Sequence, residues 1–325
     1  MAALTFQAQQ SANRRNSFLL AILVTLLLAV LGYAIGYAIS ASPAGGVGAT
    51  VIAVVIGALA SLGSYFAGDK LVLAASSAKK TDASKTPQLM NVVQELAIAA
   101  NIPMPEVYLI DDTAPNAFAT GRDPKHASIA ITTGLLEKLD REELQGVIGH
   151  ELSHVRNYDI RFSLLVGVLV GSVALLSQFF LRFTFWGGGR RSRDDSRGSG
   201  GLQVIMFVIA IVLAVLAPIA ARMVQLAVSR QREYLADASS VELTRNPAGL
   251  ERALAKIATD KEVLEVANPA TQHLYFTNPI KKFEARSNSM FSTHPAIVDR
   301  INRLRTLAGE SPLQSTDLAS LAGLS

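Results

Sequence analysis

The sequence predicts a mainly α integral membrane protein, with two to four transmembrane helices and an α+β domain that faces water. Three observations predict this class. Half of the 325 residues are hydrophobic and mean hydropathy is positive. The excess is gathered into four stretches almost free of charge, each close to the roughly 20 residues that a helix needs to cross a hydrocarbon core. Between and after them run amphipathic and strand-like patterns that belong in a globular domain.

In chain order, residues 1–17 form an N-terminal segment and 18–68 a hairpin of helices 18–39 and 47–68. The first stretch is longer than the roughly 7–15 apolar residues of a signal h-region, and a second follows almost at once, so it is expected to remain as an anchor. Residues 69–161 open the water-facing domain with a polar connector, Ser76 to Thr86. Pro87 to Ala100 reads as an amphipathic helix with Leu89, Val92, Val93, Leu96 and Ala100 on one side. Val107 to Ile110 and Ser128 to Thr132 read as strands, joined by a loop holding Pro115, Asn116 and Gly121.

Asp140 with Glu143 three residues on is a capping-box pattern, so a helix is expected to start there and run through Leu144, Val147, Ile148, Leu152 and Val155. A second hydrophobic hairpin spans 162–221, from helices 162–185 and 201–221 around a Gly- and Arg-rich turn; Pro218 should kink the later one. The domain resumes over 222–325, with helical patterns at Ser229 to Leu243, Leu250 to Ala258 and Ala296 to Leu307, and a frayed tail.

The formal charge of +4 does not indicate a nucleic-acid partner, because basic residues sit near span ends rather than on one face. Arg14 and Arg15 before the first hairpin and Lys70, Lys79, Lys80 and Lys85 after it place both flanks on the cytoplasmic side. Against that scheme, the turn with Arg190, Arg191, Arg193 and Arg197 would face outward. Either the second hairpin is shallow or the first one dictates orientation. The chain has no cysteine, so a metal site must use His, Asp or Glu.

Such a site is written at His150, Glu151, Leu152, Ser153, His154. Two histidines four apart on a helix share a face and can meet one tetrahedral zinc through neutral imidazoles, while Glu151 lies beside the metal where it can act as general base. Glu233 is the leading third ligand. It lies on a predicted helix with Asp237 four residues later, where Asp237 can accept a hydrogen bond from the second nitrogen of His150. Alone, that acidic pair is more often a solvated helix face; it gains weight from the histidines. His126 and His273 have no partner at ligand spacing and read as structural or exposed.

Several segments together resemble the M48 family of metallopeptidases: Pro115 to Gly121, Thr132 to Leu136, Glu143 to Asp159, Ser229 to Ser239 and Ser292 to Ile301. The resemblance covers nearly the whole chain. It implies a cytoplasmic zincin-like metallopeptidase domain with one Zn2+ per subunit on His150, His154 and Glu233. Glu151 would be the base, in a multi-pass protein of a bacterial inner membrane. The implied activity is cleavage of misfolded or damaged membrane proteins in quality control and stress response. The same comparison puts Asn116, Ala117, Phe118, Ala119 and Thr120 near an edge strand that pairs with an extended peptide, and makes His294 and Arg300 possible stabilisers of the transition state.

Because His154 and Glu233 must meet at one ion, the second hairpin has to leave and return, and the ion should lie within roughly 15 Å of the interface. Two other readings remain open: a narrow processing protease of the prenyl-protein type, and a non-catalytic scaffold with a structural zinc. Oligomeric state and cleavage preference are not written in these residues.

Overall fold

The computed structural model of the protein describes residues 6–186, 200–260, 262, 264, 275–276, 295–313 and 318–323. The chain divides into two compact units, Met1–Ser64 with Leu165–Gln225, and Tyr65–Leu164 with Leu226–Ser325.

The first unit is helical. It contains most of α1 (Phe6–Ser40), α2 (Pro43–Ala75), α6 (Asp159–Trp186) and the first part of α7 (Gly200–Thr244). Among the described residues, four helices are long and apolar enough to cross a membrane: Ile22–Ser40, Pro43–Ala75, Asp159–Arg182 and Val204–Ala221. Val51, Ile52, Val55, Ile56 and Leu59 of α2 are all exposed, an arrangement unfavourable in water and natural against lipid. The α1–α2 turn is tight, with Ala41 left-handed at φ 55°. Close approach follows from small residues: a Cβ on Gly36 would lie 2.4 Å from Ala49 Cβ and 2.5 Å from Gly45 O. The helices extend beyond the predicted apolar limits, since helix continues wherever its hydrogen bonds do, and α7 runs without interruption past Pro218 to Thr244.

The second unit is α+β. Its sheet has the order β1-β2-β4-β3. β1 (Lys79–Lys80) is antiparallel to β2 (Glu106–Ile110), β2 is parallel to β4 (Ala127–Thr132), and β3 (Ala117–Gly121) runs antiparallel to β4 at the edge. β1 lies in the stretch expected as a connector and most of β3 in the one expected as a loop. Two lysines have no strand pattern of their own and become a strand only through pairing with Leu109 and Tyr108. β3 follows Pro115 and Asn116 and ends on Gly121, so turn signals bracket a strand too short to show its period; all five residues are buried.

Helices cover this sheet. α3 (Pro87–Ala99), with Pro87 in its first turn, buries Leu89, Val92, Val93 and Leu96, and Ala100 just beyond its end is buried too. A short turn of helix, Pro124–His126, capped by Asp123, leads into β4, and α4 (Thr133–Lys138) follows it. The central helix is α5 (Arg141–Arg156), which packs on α3, on β3 and on α8 (Pro247–Thr259). α8 in turn carries α9 (Ile297–Ala308) and α10 (Leu318–Leu321). Val92, Ile129, Leu135, Val147, Ile148, Leu152, Leu254 and Ile301 make the middle of one apolar core. α5 and α8 touch backbone to backbone: a Cβ on Gly146 would lie 2.8 Å from both Leu250 N and Cα.

Candidate metal centre

α5 starts where the sequence says it should. Asp140 accepts from Glu143 N at 2.9 Å and Glu143 returns the bond to Asp140 N at 2.8 Å, closing the capping box. Glu143 is itself buried and takes Lys256 of α8 at 2.7 Å, so the cap also fixes the helix against its neighbour. Three turns on, His150 and His154 face the same way, their ring centroids 4.7 Å apart.

Glu233, carried on α7, completes the group. One donor atom from each of His150, His154 and Glu233 lies within 4.8 Å of the others, so the three could hold a metal ion. His150 Nε2 is 3.1 Å from His154 Nε2 and 3.5 Å from Glu233 Oε2, and His154 Nε2 is 3.5 Å from Glu233 Oε1. A tetrahedral ion with bonds of about 2.0–2.1 Å needs its ligand atoms roughly 3.3 Å apart. The donor set fits that requirement.

The outer nitrogens are held as well. His150 Nδ1 lies 2.9 Å from Asp237 Oδ1, and His154 Nδ1 lies 3.1 Å from Asp159 Oδ2. A carboxylate at Nδ1 keeps a proton there, so Nε2 is the nitrogen turned to the cluster and the one an ion would take. Burial disfavours an imidazolium at His154, but Asp159 and Glu233 outweigh it and raise its pKa well above 6.5. Asp159 was not anticipated from sequence. The available signal was an acid opening an apolar helix five residues after a ligand.

Arg300 of α9 is fully buried and grips Asp237 with a fork, Nε to Oδ2 at 2.9 Å and Nη2 to Oδ1 at 2.7 Å. Its Nη1 donates to Phe276 O at 3.3 Å. Burial works against both charges of the pair, yet each stabilises the other: Asp237 is held below its ordinary value and Arg300 is raised. Arg300 Nη1 also lies 3.9 Å from Glu233 Oε2, so the guanidinium that the resemblance named as a stabiliser sits beside the cluster while it holds Asp237. His294, named beside it, and His273 lie outside the described residues, as does most of the arginine-rich turn. His126 is about half exposed and bonds Asp123 at 2.8 Å, away from the cluster.

Glu151 is 2% exposed. Burial raises its pKa, the imidazoles of His150 and His154 lower it, Glu233 raises it, and the Ala119 amide, which donates to the carboxylate, lowers it; the net shift is upward. That amide belongs to β3. Thr132 N bonds Asn116 O, so Phe118 and Thr120 bond β4 while Ala117 and Ala119 turn their backbone groups outward. The Ala117 carbonyl accepts Phe276 N at 2.7 Å, and the Phe276 ring meets His150 edge-on at 4.9 Å. Asn116 and Thr120 are buried, and Phe118 meets Tyr275 edge-on at 5.1 Å. The five residues thus bring the outer edge of the sheet to the cluster.

The model of "Peptidase family M48" matches residues 83–308. A "Protease HtpX homolog" of Streptococcus equi subsp. equi is 47% identical over 253 residues, covering 78% of this chain and 84% of the relative. Another, from Streptococcus gordonii, is 44% identical over 299 residues, covering 92% of this chain and 99% of the relative. Among solved structures, the crystal structure of S. mikatae Ste24p is similar at 21% identity with a TM-score of 0.48, over 78% of this chain and 57% of that one.

Proposed function

Since the chain belongs to peptidase family M48 and is a membrane metalloprotease, we propose that His150, His154 and Glu233 bind one zinc ion and that Glu151 is the general base of peptide-bond hydrolysis. The observation that carries this reading is the donor triangle, spaced for a tetrahedral ion with both outer histidine nitrogens on carboxylates. Zinc bound there would lower the pKa of a water toward about 7 and polarise the scissile carbonyl.

The chain's own groups supply the rest. Glu151, with its proton affinity raised by burial, takes a proton from the attacking water and can return it to the leaving amine. Its carboxylate is oriented by the Ala119 amide, so base and edge strand are registered to each other. An extended polypeptide pairing along β3 would place its backbone at that register, taking the Ala117 carbonyl over from the Phe276 amide. Asn116 to Thr120 are the residues of that edge. Recognition through main-chain groups suits varied, unfolded substrates. Arg300 acts through Asp237, holding the carboxylate that holds His150.

The proposed setting is a bacterial inner membrane, with residues 69–161 and 222–325 forming the cytoplasmic protease domain around a hairpin at 162–221. The lysines and arginines that flank the first hairpin support that orientation. The proposed substrates are misfolded or damaged membrane proteins. Purified protein in detergent, stripped by a chelator, should regain cleavage of an unfolded membrane protein when zinc is returned. Glu233→Ala should fail to retain zinc at concentrations that saturate the wild type; retention of full affinity would refute the ligand assignment.

A further inference from the structure

The carboxylate of Asp159 meets His154 Nδ1, and behind it stands the buried guanidinium of Arg232, which the reaction does not use. From their geometry we infer that they form a second holding device, a clamp on His154 that sets metal affinity as Asp237 and Arg300 do for His150. The inference rests on the metal site proposed above and concerns the residues behind it.

The local chain is built for that contact. α5 ends at Arg156 with Asn157 as its cap, and Tyr158 takes a left-handed conformation at φ 62°, one that non-glycine residues adopt at a cost. The reversal returns Asp159, the first residue of α6, to the face it would otherwise leave, with Oδ2 3.1 Å from His154 Nδ1. Asp159 is 4% exposed, and its other oxygen, Oδ1, faces Arg232 Nη1 at 3.4 Å. Arg232 is also 4% exposed, and its guanidinium carbon sits 3.4 Å from the centre of the Phe162 ring. With one oxygen hydrogen-bonded to the imidazole and the other in ion-pair range of a buried guanidinium, though outside hydrogen-bond geometry, rotation of the carboxylate away from His154 is opposed by charge. The arginine that holds it directly precedes Glu233, so a single turn of α7 carries both a ligand and the clamp of a second ligand.

A plainer role exists for Asp159, as the acid that opens α6 and offsets the partial charge of a helix N-terminus. That role is local to the helix end and would leave metal affinity unchanged. The clamp predicts more: the outer proton of His154 is kept on Nδ1, its Nε2 made a stronger donor, and both effects depend on Arg232 through Asp159.

The test is zinc affinity of the full chain in detergent, measured by competition with a chromophoric chelator, with the visible spectrum of the cobalt-substituted protein as second readout. Asp159→Ala should weaken zinc binding about 10–100-fold. Asp159→Asn, whose amide oxygen can accept the same Nδ1–H without charge, should recover part of that loss. Arg232→Gln should fall between wild type and Asp159→Ala and shift the cobalt bands in the same sense as Asp159→Asn. Folded Asp159→Asn and Arg232→Gln proteins with wild-type zinc affinity and cobalt spectrum would overturn the clamp, whatever their melting temperatures. His154→Ala separates the two claims: if it binds zinc like wild type, the metal site itself is wrong; if it loses zinc while the clamp variants do not, only the clamp fails.

Discussion

Arg300→Met is the substitution whose consequence can be worked furthest. Arg300 is fully buried and Asp237 is 2% exposed, and they share a two-bond fork at 2.9 and 2.7 Å. Methionine fills most of the volume but leaves the Asp237 carboxylate in the interior with His150 as its remaining close partner. Breaking one side of a buried ion pair costs about 3–5 kcal/mol, and that is the expected loss of stability of the metal-free protein. Asp237→Asn alone strands the guanidinium and should cost a similar amount. The double variant removes both charges and should recover about 2–3 kcal/mol relative to the sum of the singles.

Pulse proteolysis along a urea series in mixed micelles reads the folded fraction for all four proteins. Asp237 is held below 3.8, so the pair's contribution is present above that value and is lost as pH falls through the lower folded pKa. The wild type and the double variant should therefore converge in acid. Strictly additive effects, or an Arg300→Met loss under about 1 kcal/mol, would refute the buried pair as an energetic unit.

Two further outcomes follow from packing and burial. Gly146→Ala drives a Cβ to 2.8 Å from the Leu250 backbone, so α5 and α8 must separate; a loss of about 1–3 kcal/mol is expected, and an unchanged urea midpoint would show that the helices can shift freely. Glu251 of α8 is pushed up from 4.5 to about 7, by burial first and Glu310 second, against the pull of Arg305 and Arg252. The folded state therefore prefers its protonated form, and that stabilisation is present below 4.5 and lost as pH rises through about 7. Glu251→Gln should match wild type at pH 5 and exceed it at pH 8 by roughly 1–3 kcal/mol in the same assay; parallel pH profiles would contradict it.

What the sequence could show was what is periodic or local. Apolar length announced the membrane helices, and the Asp140–Glu143 box announced α5. Four-residue spacing put His150 beside His154 and Glu233 on the face of Asp237. β1 and β3 have no strand pattern of their own, because pairing partners rather than composition make them strands, and only the resemblance put Asn116 to Thr120 beside an edge strand. Asp159 escaped because its approach to His154 depends on one left-handed residue, Tyr158, with no glycine to mark it. Arg300 and Phe276 meet the site from distant segments, through contacts no local pattern encodes.

The central claim is that the cluster on α5 and α7 is a catalytic zinc centre with Glu151 as base, and Glu151→Gln tests it most directly. The measurement is bound zinc and cleavage of an unfolded membrane protein, on wild type and variant side by side in detergent. The expected result is one zinc per chain in both proteins and cleavage in the wild type alone. Equal cleavage by both, at equal zinc content, would contradict the assignment of Glu151 and with it the mechanism.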